Sequence, residues 1–411
     1  MNATREEPNG GVVSSSSLPD GWTLVRLGDV SDHNLGKMLD QQKNKGQLRP
    51  YLRNPNVQWF NFNLRELQEM PFEDHELHKY EVQPGDVIIC EGGEAGRAAI
   101  WDKPNAGVYI QKALHRVRVK PPLLNRYLVY QLMVDAKSGR LSDYFTGTTI
   151  PHFTGQDLHR YTFPLPPLSE QKRIADILDK AYAIRRKRQE ARALTQDLPI
   201  ALFRETFQEF LKPDHIVTVL SETAKVVSGV AKGRNLNGED IREVPYLRVA
   251  NVQAGYLDLS EIKTIPANQS EVEALALQHG DVVMTEGGDH DKLGRGALWE
   301  HSIPSCIHQN HIFRVRTNRE KLLPTFFVHY LQTETARAYF LRCAKKTTNL
   351  ASINMTQLRA LPVPLPPLKL QKKFDDELRT IIDITQRQTD SERETNDLFN
   401  SLVQRAFKGE L

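Results

Sequence analysis

The side chains with the most chemical reach are two glutamates set beside glycine turns. Glu91-Gly92-Gly93 and Glu286-Gly287-Gly288 are each followed by a Gly-Arg pair, Gly96-Arg97 and Gly294-Arg295. An acid next to a phosphate-binding loop is one reading. A tight turn between strands, with the glutamate accepting turn amides, explains the glycines as well. A guanidinium beside such a turn can approach a phosphate or a guanine edge closely, so Arg97 and Arg295 are candidate contacts to nucleic acid.

A second group, Cys306, His308 and His311, has the spacing of partial zinc ligands, with His290 and His301 nearby. The corresponding positions of an internal repeat, Val108, Ile110 and Ala113, carry no ligand, and no second cysteine pair is present, which disfavours a metal. His308, Gln309, Asn310 and His311 better suit hydrogen bonding to base edges, because Asn and Gln pair bidentately with adenine. In the first half Lys37, Lys43, Lys45, Arg49 and Arg53, with Lys112 and His115, are candidate phosphate or base contacts. In the second half Lys232, Arg234 and Arg248 take that part, although a solvated surface position is the commoner fate of Lys and Arg.

Enzymatic motifs are missing. The chain has no Gly-x-x-x-x-Gly-Lys-Ser/Thr loop and no strand-linked Gly-x-Gly-x-x-Gly. Asn54-Pro55-Asn56 is the nearest thing to the Asn-Pro-Pro-Tyr of an adenine methyltransferase, and it lacks the second proline and the aromatic. Three cysteines, Cys90, Cys306 and Cys343, are too few for a disulfide framework and read as free thiols. A net charge of +3 argues against a polycation that coats nucleic acid without selection, so basic surface must be local. The composition, 26% charged and 39% hydrophobic over 411 residues, is that of an ordinary globular chain with more than one core. No stretch suits a membrane span, residues 1–17 read as a disordered leader, and a cytoplasmic protein is expected.

The elements that position these residues come in duplicate. Tyr51-Leu52-Arg53 with Asn56-Val57-Gln58 recurs as Tyr246-Leu247-Arg248 with Asn251-Val252-Gln253, an offset of 195. Gly85-Asp86-Val87 returns as Gly280-Asp281-Val282, and Arg116-Val117-Arg118 as Arg314-Val315-Arg316. Pro164-Leu165-Pro166-Pro167-Leu168 reappears as Pro364-Leu365-Pro366-Pro367-Leu368. Short apolar runs bounded by Gly, Pro and Asn, such as Val87 to Cys90 and Val282 to Met284, predict strands. Leu123 to Ala136 and Leu322 to Tyr339 have helical spacing. Boxes kept by both halves are expected to be scaffold or backbone contacts, and differences such as 306–311 against 108–113 to be base readers.

After each proline-rich segment comes a glycine-free stretch with apolar residues three and four apart, the pattern of a coiled-coil seam. The first seam includes Ile174, Ile177, Ala181, Ile184, Leu198 and Leu202; the second includes Phe374, Leu378, Ile381, Ile384, Leu398 and Leu402. Pro199 should split the first helix near Leu198. Packing of each helix on its own domain is the alternative to pairing. At about 1.5 Å per residue each helix would reach roughly 55 Å, longer than one turn of B-DNA.

In their order and duplication these features resemble the specificity subunits of type I restriction-modification systems over residues 18–411. The marks are Trp22 to Val30, Leu35-Gly36-Lys37, the Tyr-Leu-Arg boxes, Gly147-Thr148-Thr149, the proline-rich segments and the ending Arg405 to Leu411. The resemblance implies an α+β fold with two similar mixed α/β target-recognition domains, separated by a long antiparallel two-helix coiled coil with pseudo-two-fold internal symmetry. The expected partition is domains at 18–163 and 211–363, with helical spacers at 164–210 and 364–411. It implies no catalysis in this chain, which would bind a bipartite double-stranded DNA site. Two modification subunits carrying S-adenosylmethionine, and restriction subunits using ATP and Mg, would be its partners. A stand-alone metal-dependent nuclease or methyltransferase, and a coiled-coil adaptor binding only proteins, are the competing readings.

Overall fold

The computed structural model describes residues 18–40, 42, 44–104, 107–147, 151–212, 215, 217–236, 240–288, 293–300, 303–346 and 351–411. The chain divides into two compact units, Met1–Gln189 with Asp390–Leu411, and Glu190–Thr389. Each unit therefore contains one globular domain and a part of both long helices.

In the first unit a four-stranded antiparallel sheet runs in the order Ser31–Leu35, Leu114–Val119, Val87–Cys90, Ala98–Ile100. The second unit repeats it as Ala224–Ser228, Ile312–Thr317, Val282–Thr285, Gly296–Leu298. Beside it lies a three-stranded sheet, Gln68–Phe72, Gln47–Leu52 and Tyr109–Ile110, whose last pair is parallel. Its counterpart is Lys263–Ala267, Arg242–Leu247 and Ile307–His308. A two-stranded pair joins each unit's first strand to its proline-rich segment, Thr23–Arg26 with Thr162–Leu165 and Val217–Val219 with Pro362–Pro364.

The repeated boxes hold this framework together from inside. Asp86 accepts the Gln83 amide at 2.8 Å and Arg118 Nε at 2.8 Å, and Asp281 accepts the Gln278 amide at 2.7 Å and Arg316 Nε at 2.7 Å. The preceding Gly85 and Gly280 have φ of +93° and +88°, which side chains rarely adopt, so the turn fixes glycine there. Asn56 accepts the Arg53 amide at 2.8 Å and donates to Asn63 O; Asn251 accepts the Arg248 amide at 2.8 Å and donates to Asp258 O. Both asparagines are buried, as are Tyr51, Leu52, Tyr246 and Leu247.

The stretch with helical spacing over Leu322 to Tyr339 holds two helices, Pro324–Tyr330 and Glu334–Cys343, and Thr333 caps the second by accepting the Ala336 amide. In the first unit a single helix, Asn125–Ser138, ends at Gly139. The first long helix runs from Leu168 to Thr195, and a further helix, Leu198–Phe207, begins with Pro199 in its first turn, so proline starts a helix where it cannot continue one.

Within the first unit the start of the first long helix packs with the end of the second, Leu368–Lys408. Arg173 donates to Leu411 O at 2.7 Å, and Tyr182 meets Phe399 at 6.2 Å between ring centroids, so the two segments run in opposite directions. In the second unit Thr195 and Gln388 hydrogen-bond at 2.6 Å, and Phe203 and Phe207 each lie 5.4 Å from the Phe374 ring.

The seam read from sequence is only partly buried. Ile174, Ala181, Phe374 and Leu378 are core residues, and Ile177, Leu202, Ile381 and Leu402 are half-buried. Ile184, Leu198, Ile384 and Leu398 are 53%, 42%, 46% and 58% exposed, which corrects their assignment to a continuous seam. The buried line near the end of the second helix is Phe399, Val403 and Ala406, one position away from Leu398 and Leu402. There the helix joins the globular core, together with Ile174, Leu178 and Tyr130, so a wide globular stripe replaces the narrow seam.

Candidate nucleic-acid interface

In both units the same two segments converge on the glutamate turn. The Glu91 amide donates to Ala113 O at 2.9 Å, and Glu91 O accepts the Phe153 amide at 2.7 Å. The Glu286 amide donates to His311 O at 2.9 Å, and Glu286 O accepts the Ile353 amide at 2.8 Å. Each glutamate is thus pinned at the crossing of a loop, 111–113 or 309–311, with the stretch that follows a small antiparallel pairing, Thr146 with His152 or Lys345–Lys346 with Ala351–Ser352. Thr148 and Thr149 lie outside the described residues.

Among the described residues, the expectation that these carboxylates cap turn amides gives way to a different geometry. Glu286 Oε2 sits 2.6 Å from His311 Nδ1. Glu91 accepts no hydrogen bond at its carboxylate from the described residues; burial pushes its carboxyl up, against the opposing pull of His152 and Lys112. The pairing of each glutamate thus comes from a different backbone position in each unit, since His311 matches Ala113 and Lys112 matches Asn310.

Several sequence candidates are framework instead. His115 is fully buried, its Nε2 donating to Phe153 O at 2.9 Å, and burial brings its pKa down to about 4. His308 is equally buried, its Nδ1 donating to Ile312 O at 3.0 Å, with its pKa likewise brought down to about 4. Neither imidazole reaches the surface, which removes both from the list of DNA contacts. Lys37 is also consumed: its Nζ donates to Pro71 O at 2.9 Å and to Glu76 at 2.5 Å. Arg234 performs the identical task in the second unit, donating to Pro266 O at 2.9 Å and to Glu271 at 2.6 and 2.7 Å.

The remaining cations are engaged to differing degrees. Arg97 is braced by Glu94 at 2.9 Å and Asn54 O at 2.9 Å, and Arg248 by Glu261 at 2.9 Å. The glycines before Arg97 and Arg295 have φ of +89° and +73°, and a Cβ there would strike Leu141 or Phe340. Arg295 holds Gln253 at 2.9 Å and lines a recess of about 300 Å³ with Val249, Thr285 and Gly288. Arg49 lies over the Tyr109 ring and donates to Gln47 at 3.1 Å, and Arg53 is half-buried. Lys45, Lys112 and Lys232 are exposed, Gln309 and Asn310 half-buried, and His311 exposed. Lys43, His290 and His301 lie outside the described residues.

The Cys306 thiol is buried and pushed up to about 12, and it lies against Ile307 O, which with the buried His308 leaves no liganding pair at that spacing. Among the described residues no group of three or more His, Cys, Asp and Glu is placed to hold a metal, and no helix is long and apolar enough to cross a membrane.

Two copies of one framework, each presenting a loop-borne face of mixed charge, match a known family. The sequence fits the type I restriction modification DNA specificity domain twice, over residues 19–195 and 224–394. The chain belongs to that family. The specificity subunit of the type I restriction enzyme EcoKI from Escherichia coli K12 is 22% identical over 97% of this chain and 91% of its own length. The MjaVIII specificity subunit from Methanocaldococcus jannaschii is 25% identical over 89% of this chain and 87% of its own. The fold recurs in a solved type I R-M system structure, with a TM-score of 0.60, 20% identity and coverage of 96% of this chain and 99% of that one. It recurs again in the type I S subunit from M. genitalium, with a TM-score of 0.55, 16% identity and coverage of 94% and 96%.

Proposed function

We propose that this family member is the non-catalytic DNA-reading subunit of a type I restriction-modification complex, each unit reading one half of a bipartite duplex site. The carrying observation is that one buried framework, repeated in both units, presents different side chains at one place: Lys112 and Ala113 in the first, Asn310 and His311 in the second. Two domains of common descent that read unlike half-sites should keep the scaffold and vary the loops in this way.

The exposed Lys45, Lys112 and Lys232 supply phosphate contacts that set register on the duplex. Gln309 and Asn310 supply side-chain amides suited to adenine edges. The two long helices pair antiparallel as a coiled-coil spacer and fix the gap between the half-sites. Modification subunits bring S-adenosylmethionine for adenine methylation, and restriction subunits bring ATP and Mg for cleavage. EcoKI, MjaVIII and the solved neighbours named above support this reading by kinship.

Gel shifts at low salt test it, with the chain alone and with a modification subunit. A split-site shift is expected in the presence of that subunit. Lack of DNA affinity in both conditions would favour a protein-only adaptor, and cleavage or methylation by the purified chain alone would overturn the non-catalytic reading. Exchanging residues 211–362 for those of a relative should change one half of the recognised site and leave the other.

A further inference from the structure

We propose that Glu91 and Glu286 are specificity-determining residues, each accepting a hydrogen bond from the exocyclic amino group of a base in its own half-site. The inference rests on the DNA-reading function above and deepens it.

A carboxylate on a DNA-facing surface is repelled by phosphate, so it gains there only by meeting a hydrogen-bond donor. The major-groove edge of a base pair offers one such donor, the amino group of cytosine or adenine, and a carboxylate is the acceptor suited to it. The surroundings of both glutamates are those of a reading face. Exposed Lys112 and half-buried Gln111 stand on the loop hydrogen-bonded to Glu91, and exposed His311 with half-buried Gln309 and Asn310 on the loop hydrogen-bonded to Glu286.

The presentation is rigid. Both glutamates have their amide and carbonyl tied to two different segments, at 2.9 and 2.7 Å in the first unit and at 2.9 and 2.8 Å in the second. A reading group must be held close to its target, and these paired backbone bonds fix the main chain from which each carboxylate is presented in both copies. Among the described residues neither carboxylate is spent on a turn amide. Glu286 uses Oε2 for His311, at 2.6 Å, which orients the group, and its Oε1 takes no bond from the described residues; Glu91 is drawn toward His152 and Lys112 by charge. Both side chains are half-buried, in the range where a side chain is fixed and still reachable.

A structural ion pair is the rival account for Glu286, and it predicts that either partner's loss has the same effect. The test is site selection from a randomised double-stranded DNA library by the full chain assembled with its modification subunits. Wild type, Glu91→Gln, Glu286→Gln and His311→Gln are compared, with thermal unfolding run alongside. Gln is nearly isosteric, but it both donates and accepts, so it no longer insists on a donor.

Discrimination at one base pair should fall on the order of tenfold, in one half of the motif for Glu91→Gln and in the other half for Glu286→Gln. His311→Gln removes a neighbouring reading side chain and should blunt discrimination in that half-site, but it should keep the base preferred at the position that Glu286 reads. An unchanged motif in both glutamate variants, at wild-type melting temperature, would overturn the inference, as would His311→Gln and Glu286→Gln relaxing the same position equally. If the wild-type complex selects no split motif, the DNA-reading function itself fails and the glutamates are not at issue. Should a Gln variant melt early, Glu91→Asp or Glu286→Asp serves in its place: the shortened carboxylate should weaken the same position without changing the base preferred there, and an untouched position counts against the proposal.

Discussion

The two units share a sheet order, an arginine–aspartate brace and an asparagine-locked box, yet they fill the corresponding place in each core with different side chains. In the first unit the core is completed by the end of the chain, Phe399, Val403 and Ala406; in the second by Phe203 and Phe207, just beyond the first long helix. A polar network also distinguishes them. Asp135 of the first unit accepts from Gln131 at 2.9 Å, from Arg140 Nε at 2.8 Å and from the Tyr161 hydroxyl, whereas the residue matching Tyr161 is the buried Leu361. Duplication thus preserved what the backbone requires and left each core free to find its own filling.

The largest effects should come from separating these fillings. Phe399→Ala removes a fully buried ring that lies under Arg185 and Lys137 and should cost about 3–5 kcal/mol. Phe207→Ala should cost as much, and hydrogen exchange should place the two losses apart. Amides of Met1–Gln189 should lose protection with Phe399→Ala, and those of Glu190–Thr389 with Phe207→Ala. If Phe399→Ala loosened the second unit first, the closure of the first unit by the chain's end would be wrong.

Asp135→Ala comes next. It leaves Arg140 and the Tyr161 hydroxyl without their carboxylate, and removing one partner of a buried charged pair costs about 3–5 kcal/mol, here confined to the first unit. Denaturant unfolding of the variant would measure it, and a loss under about 1 kcal/mol would show that the network is dispensable.

Acid should then strike both units through different residues. His115 and His308 have pKa values of about 4 in the fold, against the ordinary histidine value near 6.5, because burial disfavours the charged ring. Above pH 6.5 both are neutral folded or unfolded and contribute nothing. As the pH falls from 6.5 toward 4 the unfolded chain takes up the proton first, so stability falls by about 1.4 kcal/mol per pH unit for each, and levels off below 4. His115→Gln should flatten the pH dependence of unfolding in the first unit, and His308→Gln in the second, whatever either variant costs at neutral pH. Unchanged slopes would show that these rings are not what titrates.

The sequence made the duplication, the strand turns and the helix break at Pro199 legible because each is a local matter of backbone chemistry. It did not distinguish reading side chains from framework, since that depends on contacts with distant segments. Lys37 and Arg234 show why. Both clamp the same glutamate and carbonyl, but Lys37 aligns structurally with Val230, so Arg234 reaches the clamp from four residues farther along the chain. No comparison of aligned positions would pair them. The seam assignment at Leu398 failed for a related reason: Leu398 and Phe399 are adjacent and both apolar, and it is Phe399 that turns inward, beside Tyr182.

The smallest effect is also the sharpest divider between framework and surface cations. Lys112 is exposed and makes no side-chain hydrogen bond to the described residues, whereas Lys37 is buried against Glu76 and Pro71. If Lys112 contacts a phosphate, Lys112→Ala should leave unfolding unchanged and lower the slope of log affinity against log salt by about 0.9, the counterion release of one lost contact. Sequence preference should stay as it was, because phosphates carry none. Lys37→Ala should do the reverse, costing on the order of 1–3 kcal/mol of stability through the stranded Glu76 while leaving the salt slope intact. A change of slope with Lys37→Ala, or of stability with Lys112→Ala, would exchange their roles and with them the side of the domain that meets the duplex.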